Sequence, residues 1–590
     1  MDAQSIWICF VLSVGFSRHK FQRKHLRHAI FFNSTLIFIP SFLLEETHTR
    51  SYIFFYTLLP FNSLELLALQ VTQPPLHKFI FTSILTSSSS SSSSSSLSKT
   101  QKQRIRIRSR MGQQLHVVLF PLMAHGHTIP TLEMASLFLS RGLKATIIST
   151  NLLGDSIAMA QQSDLHVAVR TLKFPPNGSS LPDNISSLDQ ITTPDLFPKF
   201  LHAVELLQEP LEALLQELKP NFLVSDAFLP WTADSAAKFG IPRLAFHGMS
   251  SFALCLTDQM HLHKPYMNVE SESDTFLVPN LPHHHTFTPA QVSPHVRAGK
   301  DSIMGRLMDQ VMESIDRSYG VVINSFYELE SDYIEHYRNV LGRRAWPIGP
   351  LLLANNINRS SRAHRGKQSS IDVDECLAWL DSKNTNSVVY MCFGSTATFS
   401  PAQLHEKAVG LEASGQDFIW VVRRGKNEED DEEWLPEGFE ERMKGKGLII
   451  RGWAPQLMIL DHPAVGAFVT HCGWNSTLEG ICAGVPMVTW PAFAEQFFNE
   501  KLVTDILKIG VSVGNKIWQR NDSEGVASSA VTKAVQDIMV GEGSAERRQR
   551  AKHYKDMARK AVEQGGSSYN NLDDLIQELS VYQPPNPKKE

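Results

Sequence analysis

The sequence predicts an α/β protein built from two doubly wound domains, each with a parallel sheet. Short apolar runs, each long enough for one buried strand, alternate with helical segments from His116 onward, and a second such series begins at Ser387. At 590 residues and 42% hydrophobic content, the chain is long enough to bury two sizeable cores. We therefore expect two globular domains that follow an N-terminal segment of different composition.

The first series of elements begins with a strand–helix–strand unit. Its strands are predicted at 116–121 and 145–149, and the intervening apolar periodicity predicts a helix over 128–141. The apolar runs 222–226 and 243–246 continue the alternation. Strands that alternate with helices in this way form a parallel, doubly wound sheet.

The two series are separated by a stretch that is typical of a connection. Residues 345–350 contain two prolines, and residues 358–370 are polar, with three Arg and one Lys. We predict a linker at 356–375, which places the first domain at 111–355 and the second at 376–565.

The second series begins with a buried strand at 387–393. Ser400 and Pro401 follow it, and they suit the N-cap and first position of a helix. Further strands are predicted at 418–422, 448–451, 465–470 and 486–490, and helices after Pro455, Asn475 and Glu495. A last helix, within a terminal segment at 566–590, is predicted to run from a cap at Ser568 to Leu579.

Residues 1–110 differ from the rest of the chain in charge and complexity. They carry 13 Lys or Arg against 4 Asp or Glu, and ten consecutive serines occupy 87–96. The apolar patches at 6–16 and 29–44 are too interrupted for a membrane span. A basic, Ser-rich leader is typical of an organelle transit peptide. We favour a disordered or spurious extension upstream of a start at Met111, because a clean strand pattern follows that residue.

Composition narrows the class of function and the compartment. A net charge of −4 without a basic stripe argues against a nucleic-acid-binding surface and favours a small-molecule enzyme. The six cysteines are scattered, as in a protein of a reducing compartment. Asn475 begins an N-glycosylation sequon in a segment that is also predicted to bind a ligand. Glycosylation in the secretory lumen would block such a site, so the sequon also favours the cytosol. A plastid location follows instead if the leader is a transit peptide.

The most informative segment is 453–496. An apolar strand there ends at His471, and a helix begins near Asn475, so that unpaired backbone N–H groups face a point where a phosphate binds. Glu479 lies one turn inside this helix, within reach of ribose hydroxyls, and Trp453 offers a flat face for a base. The segment therefore predicts a nucleotide-sugar site.

This segment resembles the signature box of plant family 1 UDP-dependent glycosyltransferases from its first Trp to its last Gln. The resemblance implies a GT-B type architecture, in which two facing Rossmann-like domains bind acceptor and donor and a C-terminal helix returns to the first domain. It also implies a UDP-sugar donor site formed by Ser395, Trp453, Ala454, Gln456, His471, Gly473, Trp474, Asn475, Ser476, Glu479, Glu495 and Gln496. The terminal Gln496 is associated with glucose rather than galactose as the donor sugar.

A catalytic base is expected where the first strand ends. His125 and His127 both lie in the segment after it, at the sheet edge where open α/β folds bind ligands. The family resemblance favours His127 as the base, with Asp226 at the end of a later strand as the carboxylate that orients it. His127 as a helix-start residue and Asp226 as a helix cap are the structural alternatives.

The chemistry implied by the resemblance is a single displacement with inversion, from UDP-α-glucose to a β-glucoside. His471, the N–H groups after Gly473 and Ser395 are expected to meet the charge of the leaving diphosphate. We expect no metal cofactor, because the second domain has no Asp-x-Asp pair at a strand end. His283, His284 and His285 are adjacent in a loop without a carboxylate cluster, so that they do not indicate a metal site either.

The partners are expected to be a UDP-sugar and a small plant metabolite, with no nucleic acid, no membrane span and a monomeric chain. Loops at 249–265 and 278–296 are expected to form the acceptor pocket, with flavonoid-type phenols favoured over triterpenoids. The alternatives are another UDP-sugar as donor, a catalytically silent UDP-sugar-binding protein, and a sugar-nucleotide epimerase on the same scaffold.

Overall fold

The computed structural model divides into two compact units, residues 1–106 and 107–590. Four strands are described in the first unit: β1 (Ala29–Phe32), β2 (Thr35–Phe38), β3 (Ser51–Leu58) and β4 (Leu64–Val71). They form two antiparallel pairs, β1 with β2 and β3 with β4. In the second unit the described residues are 114–150, 167–175, 180–191, 193–354, 365–422, 434–519 and 525–584. The serine run, Met111 and an acidic run at 428–433 that the sequence predicts to be a solvated loop lie outside the described residues, so the predictions about them stay predictions.

The first domain is built on a seven-stranded parallel sheet. Its strands are β5 (His116–Phe120), β6 (Lys144–Ser149), β7 (Ala168–Thr171), β8 (Phe222–Asp226), β9 (Arg243–Phe246), β12 (Gly320–Ile323) and β13 (Ala345–Pro347). The spatial order is β13-β12-β9-β8-β5-β6-β7, and β10 (Phe276–Val278) pairs with β11 (His285–Phe287) in a separate hairpin. The order reverses at β5, so ligands are expected beside the carboxyl ends of β5 and β8.

Helices cover both faces of this sheet, as parallel strands buried on both sides require. They are α1 (His125–Ser140), α2 (Leu196–Glu205), α3 (Gln208–Leu218), α4 (Thr232–Lys238), α5 (Ser251–His263), α6 (Pro294–Ala298), α7 (Ile303–Asp316), α8 (Tyr327–Glu335) and α9 (Leu351–Ala354). The five residues of β5 are all buried, which explains why the strand reads as a continuous apolar run.

The second domain repeats the architecture with six parallel strands. They are β14 (Val388–Cys392), β15 (Asp417–Val422), β16 (Gly447–Arg451), β17 (Val465–Thr470), β18 (Met487–Thr489) and β19 (Gly510–Ser512). The order is β16-β15-β14-β17-β18-β19, which reverses at β14. Its helices are α10 (Val373–Asp381), α11 (Pro401–Ser414), α12 (Phe439–Arg442), α13 (Gln456–Leu460), α14 (Trp474–Ala483), α15 (Gln496–Lys501), α16 (Ser528–Val540) and α17 (Ser544–Val562).

The C-terminal helix α18 (Ser567–Ser580) returns to the first domain, as the resemblance implied. Leu572, Leu575 and Leu579 are buried in the core that packs against β5 and β6. An ion pair of 2.9 Å between Arg141 and Asp573 fixes the helix to the end of α1. The chain therefore crosses between the domains twice, once through the linker and once through this helix.

Three local predictions were wrong. Helix α1 begins at His125 rather than 128, because Asp189 accepts the backbone N–H of His125 and caps the helix from a distant segment. Part of the predicted connection, Ala345–Pro347, is the edge strand β13, where proline is tolerated because no neighbour needs its N–H. Ser568 is not the cap of α18, since it lies inside the helix and its hydroxyl donates to the Gly349 carbonyl.

Candidate active site

A cavity of about 2390 Å³ lies between the two domains. Residues that follow strands of both sheets line it, among them Ala124, His127, Phe228 and His247 from the first domain and Ser395, His471, Asn475 and Glu495 from the second. The carboxyl ends of both sheets therefore open on the same space, the position at which open α/β sheets bind ligands.

His127 forms a histidine–aspartate pair with Asp226 on the first-domain side of the cavity. Nδ1 of His127 lies 2.7 Å from Oδ2 of Asp226, whose side chain is fully buried, while that of His127 is 23% exposed. The other carboxylate oxygen accepts the backbone N–H of Phe228. Burial works to lower the pKa of His127, but the charge and hydrogen bond of Asp226 outweigh it and raise the pKa.

His125 forms a second pair with Asp189. Its Nδ1 lies 2.6 Å from Oδ2 of Asp189, and the same oxygen accepts the backbone N–H of His125 and the hydroxyl of Ser187. Asp189 therefore holds the start of α1 as well as the imidazole. Despite its burial, the pKa of Asp189 is lowered by the hydrogen bond and charge of His125.

On the donor side, the imidazole of His471 is packed between two glycines. A Cβ at Gly394 would lie 2.6 Å from Cε1 of His471, and one at Gly473 would lie 2.5 Å from its Nε2, so neither position has room for a side chain. Cys472 adopts a positive φ of 64°, and its carbonyl accepts the amide of Asn499 at 2.9 Å. This turn leads directly into the N-terminus of α14.

Glu479 lies within α14 and is held from two sides. One carboxylate oxygen is bound by the guanidinium of Arg365, and the other accepts the Nε2 of Gln456 at 2.5 Å. The amide of Gln456 also lies 3.3 Å from the Ser476 hydroxyl and accepts the hydroxyl of Tyr390 at 3.0 Å. The predicted ribose ligands Gln456 and Glu479 therefore form one hydrogen-bonded unit that lines the cavity.

Trp453 contacts residues at the end of the domain connection. Its indole N–H donates to the Arg365 carbonyl at 3.2 Å, and a Cβ at Gly366 would lie 2.6 Å from its six-membered ring. The ring centroid lies 5.9 Å from that of His125 across the cavity. Ala454, the next residue, is buried in the cavity wall.

Two side chains of α14 reach the first domain. The Asn475 amide donates to the Gly126 carbonyl at 2.7 Å, an acceptor that is free because Pro130, four residues on, has no N–H to donate. The indole N–H of Trp474 donates to the Asn324 carbonyl at 2.8 Å. The Trp474 side chain is almost fully buried.

Glu495 and Gln496 close the donor side of the cavity. The side-chain oxygen of Gln496 accepts the backbone N–H groups of Ala492 and Phe493 at 2.9 and 3.0 Å, which leaves its NH₂ group as a donor. Glu495 accepts the Asn499 amide at 3.2 Å, and burial raises the pKa of its carboxyl.

Comparison of the sequence with known proteins shows the family to which this chain belongs. The family model described as UDP-glucoronosyl and UDP-glucosyl transferase matches residues 115–538. The chain is 59% identical to the scopoletin glucosyltransferase of Nicotiana tabacum over 473 residues, which is 80% of this chain and 98% of that protein. The chain belongs to the UDP-glycosyltransferase family. It is also 52% identical to the anthocyanin 3'-O-beta-glucosyltransferase of Gentiana triflora, over 80% of this chain and 99% of that one.

A solved glycosyltransferase structure shows the same architecture. Glycyrrhiza uralensis UGT73P12, complexed with glycyrrhetinic acid 3-O-monoglucuronide, matches with a TM-score of 0.73 and 41% identity, covering 79% of this chain and 96% of that one. The predictions of a plant family 1 UDP-glycosyltransferase and of two facing Rossmann-like domains of GT-B type are therefore confirmed, and the protein is an enzyme.

Sequence reasoning missed four residues of this glycosyltransferase's cavity and its border: Glu133, Asp189, Arg365 and Tyr390. Arg365 belongs to a polar loop with no motif and Asp189 to a single 3₁₀ turn, Leu188–Gln190, and their ion-pair partners are distant in sequence. The acidic Glu133 inside the apolar pattern of α1 was the one available signal, since a carboxylate on a buried face needs a cationic partner.

The acceptor side of the glycosyltransferase contains more regular structure than predicted. The stretch 249–265 is mostly the helix α5 rather than a loop, because its apolar side chains are buried in a core cluster to which both domains contribute. Met249, Met260, Val292 and Val296 nevertheless line the cavity, which therefore reaches both predicted segments.

The three adjacent histidines do not converge on one point. His285 is buried with its Nε2 2.7 Å from the Tyr333 hydroxyl, and Nδ1 of His283 lies 3.0 Å from the same oxygen. His284 is exposed. In the described part of the chain, no group of three or more His, Cys, Asp or Glu is arranged to hold a metal, and no helix is long and apolar enough to cross a membrane.

Proposed function

We propose that this enzyme transfers glucose from UDP-glucose to a hydroxyl group of a small phenolic plant metabolite, with inversion at the anomeric carbon. The observation that carries the proposal is the His127–Asp226 pair at 2.7 Å, because its imidazole lines the same cavity as the donor segment 453–496. The named activities of the tobacco and gentian relatives support glucose as the sugar and a coumarin or flavonoid-type phenol as the acceptor.

In the proposed reaction His127 is the general base. With Nδ1 engaged by Asp226, Nε2 of the neutral imidazole takes the proton of the acceptor hydroxyl as its oxygen attacks C1 of glucose. The bond between C1 and the β-phosphate oxygen breaks in the same step, and UDP leaves. The imidazolium that forms is stabilised by the buried carboxylate of Asp226.

The donor is held by its nucleotide end and its sugar end. Trp453 and Ala454 contact the uracil. Glu479 accepts the ribose hydroxyls, and Gln456, which donates to Glu479, lies beside them. Ser395, His471, Gly473, Asn475 and Ser476 surround the diphosphate at the N-terminus of α14, where N–H groups and the helix dipole stabilise the leaving charge. Trp474, Glu495 and Gln496 contact the glucose hydroxyls.

No metal takes part in the proposed reaction, because the N–H groups of α14 and the imidazole of His471 supply the stabilisation of the leaving group. The expected outcome is unchanged transfer in the presence of a chelator. We further propose that the enzyme acts as a monomer in the cytosol, where UDP-glucose and free thiols coexist, since the five described cysteines are buried and unpaired.

The test is UDP release by the purified chain with UDP-glucose and a panel of scopoletin, an anthocyanin, a flavonol and a triterpenoid alcohol. Acceptor-dependent release and a product with β-configured glucose by NMR coupling constants support the proposal. UDP binding without any release across the panel would instead indicate a silent binder. Conversion of UDP-glucose without an acceptor would indicate an epimerase.

A further inference from the structure

A largely buried cationic side chain of the cavity, that of Arg365, belongs to the domain connection. Arg365 donates from Nε to Glu133 at 2.6 Å and from Nη1 to Glu479. Glu133 lies on α1 of the first domain, and Glu479 lies on α14 of the second. One guanidinium therefore joins both domains at the end of the cavity where the ribose is proposed to bind.

The ion triad of Arg365, Glu133 and Glu479 is largely shielded from solvent. The Arg365 side chain is 15% exposed, and those of Glu133 and Glu479 are 8% and 4% exposed. Burial works to lower the pKa of Arg365, but the charges of Glu133 and Glu479 outweigh it and raise the pKa. Burial also raises the pKa of Glu133, and so does the charge of Glu479. Without the guanidinium, two buried carboxylates would repel each other.

The contacts of Glu479 leave it able to bind a ligand. Arg365 takes one lone pair of Oε1 and Gln456 takes one of Oε2, and a carboxylate has about four lone-pair sites in all. Each oxygen therefore keeps a free acceptor site for one of two vicinal hydroxyls. Because both neighbours are fixed, the orientation of the carboxylate is set before the nucleotide arrives.

We propose that Arg365 is a positioning residue for the donor. It holds Glu479 in the orientation that accepts both ribose hydroxyls, and it anchors that carboxylate to the first domain through Glu133. The inference rests on the proposed function, in which Glu479 binds the ribose. Arg365 acts on nucleotide affinity through Glu479 and takes no part in the transfer of the acceptor proton.

The test compares the binding of UDP with that of 2′,3′-dideoxyuridine diphosphate, which lacks both hydroxyls, by calorimetry on the full chain. The parent is expected to prefer UDP. Arg365→Met is expected to weaken UDP binding by about tenfold or more, the scale of a charge-assisted hydrogen bond, and to leave dideoxy-UDP within about twofold. KM for UDP-glucose should rise in parallel, while kcat and the acceptor KM stay within about twofold.

Arg365→Lys and Arg141→Met complete the experiment. Lysine keeps the positive charge but lacks the planar guanidinium, so its preference for UDP over dideoxy-UDP should lie between those of the parent and of Arg365→Met. If Arg365→Met does not fold, Arg365→Lys provides the test. Arg141 has the same 15% side-chain exposure and also forms an ion pair between two segments, but it lies outside the cavity. Arg141→Met should therefore keep the parental preference for UDP over dideoxy-UDP.

Three outcomes would overturn the inference. Equal weakening of both nucleotides would assign Arg365 a merely structural role. Tighter UDP binding by the variant would mean that Arg365 blocks the ribose position. If Arg365→Met does not fold, an unchanged preference of Arg365→Lys for UDP over dideoxy-UDP would also exclude a positioning role. A parent that prefers UDP but transfers no glucose would contradict the proposed function instead and leave this inference standing.

Discussion

Two histidine–aspartate pairs lie within one turn of α1, and they differ in what surrounds the carboxylate. Asp226 is fully buried and gives one oxygen to His127 and the other to a backbone N–H. Asp189 gives a single oxygen to the His125 ring, the His125 backbone and Ser187. The first arrangement suits the proposed base, whereas the second holds the start of a helix. Similar distances of 2.7 and 2.6 Å therefore do not imply similar roles.

The largest expected effect that separates the pairs is on turnover. His127→Ala should lower kcat with UDP-glucose and a phenolic acceptor by about a thousandfold, within the range that a positioned general base contributes. UDP affinity should stay near the parental value, because His127 is not among the proposed donor ligands. Steady-state kinetics measures kcat, and calorimetry measures the affinity for UDP. Parental turnover in this variant would contradict the assignment of the base.

A smaller loss is expected when only the carboxylate is changed. Asp226→Asn keeps an oxygen for the Phe228 N–H but presents an amide to Nδ1 of His127, which favours the wrong tautomer. We expect kcat to fall by about a hundredfold. Asp189→Asn is the matched control, and its kcat should stay within about threefold of the parent. Equal losses in the two variants would remove the distinction between the pairs.

The pH dependence of turnover should report the same distinction. The pKa of His127 is raised by Asp226 against the effect of burial, and a protonated imidazole cannot accept the acceptor proton. Activity should therefore fall as the pH drops through a value above 6.5, the ordinary pKa of histidine. In Asp226→Asn the main influence that raises the pKa of His127 is lost, and only the charges of Glu495 and Asp189 still oppose burial, so the acidic limb should move to lower pH. An unmoved limb would mean that another group titrates.

The site residues could be predicted from the sequence to different degrees on the donor side and on the first-domain side of the cavity. The donor side comes from one contiguous strand–turn–helix segment, so spacing alone places His471, Asn475 and Glu479 together. The first-domain side is assembled from distant segments, and only the resemblance connected His127 with Asp226. No periodicity marks Asp189 or Arg365, because neither a single 3₁₀ turn nor a loop has a repeat that reveals a distant partner.

The same contrast explains which fold predictions failed. Strands buried on both faces, such as Phe222–Asp226 and Val465–Thr470, appear in the sequence as uninterrupted apolar runs, and their bounds were predicted to the residue. The start of α1 was misplaced because its cap, Asp189, lies more than sixty residues away. Element interiors depend on local burial, whereas element ends depend on partners that tertiary structure supplies.

The smallest expected effect is on stability, and it belongs to the second pair. The pKa of Asp189 is lowered by His125 despite burial, so the pair stabilises the fold above the unfolded pKa of about 3.9, and this contribution is lost as the pH falls through the lower folded value. Asp189→Asn should cost about 1 kcal/mol at neutral pH, the scale of a negative charge at a helix N-terminus. The measurement is urea unfolding of parent and variant at pH 7 and again near pH 3. The difference should shrink at the lower pH, because protonation removes from the parent what the substitution removed from the variant. A difference that is equal at both pH values would mean that Asp189 acts through packing and not through its charge.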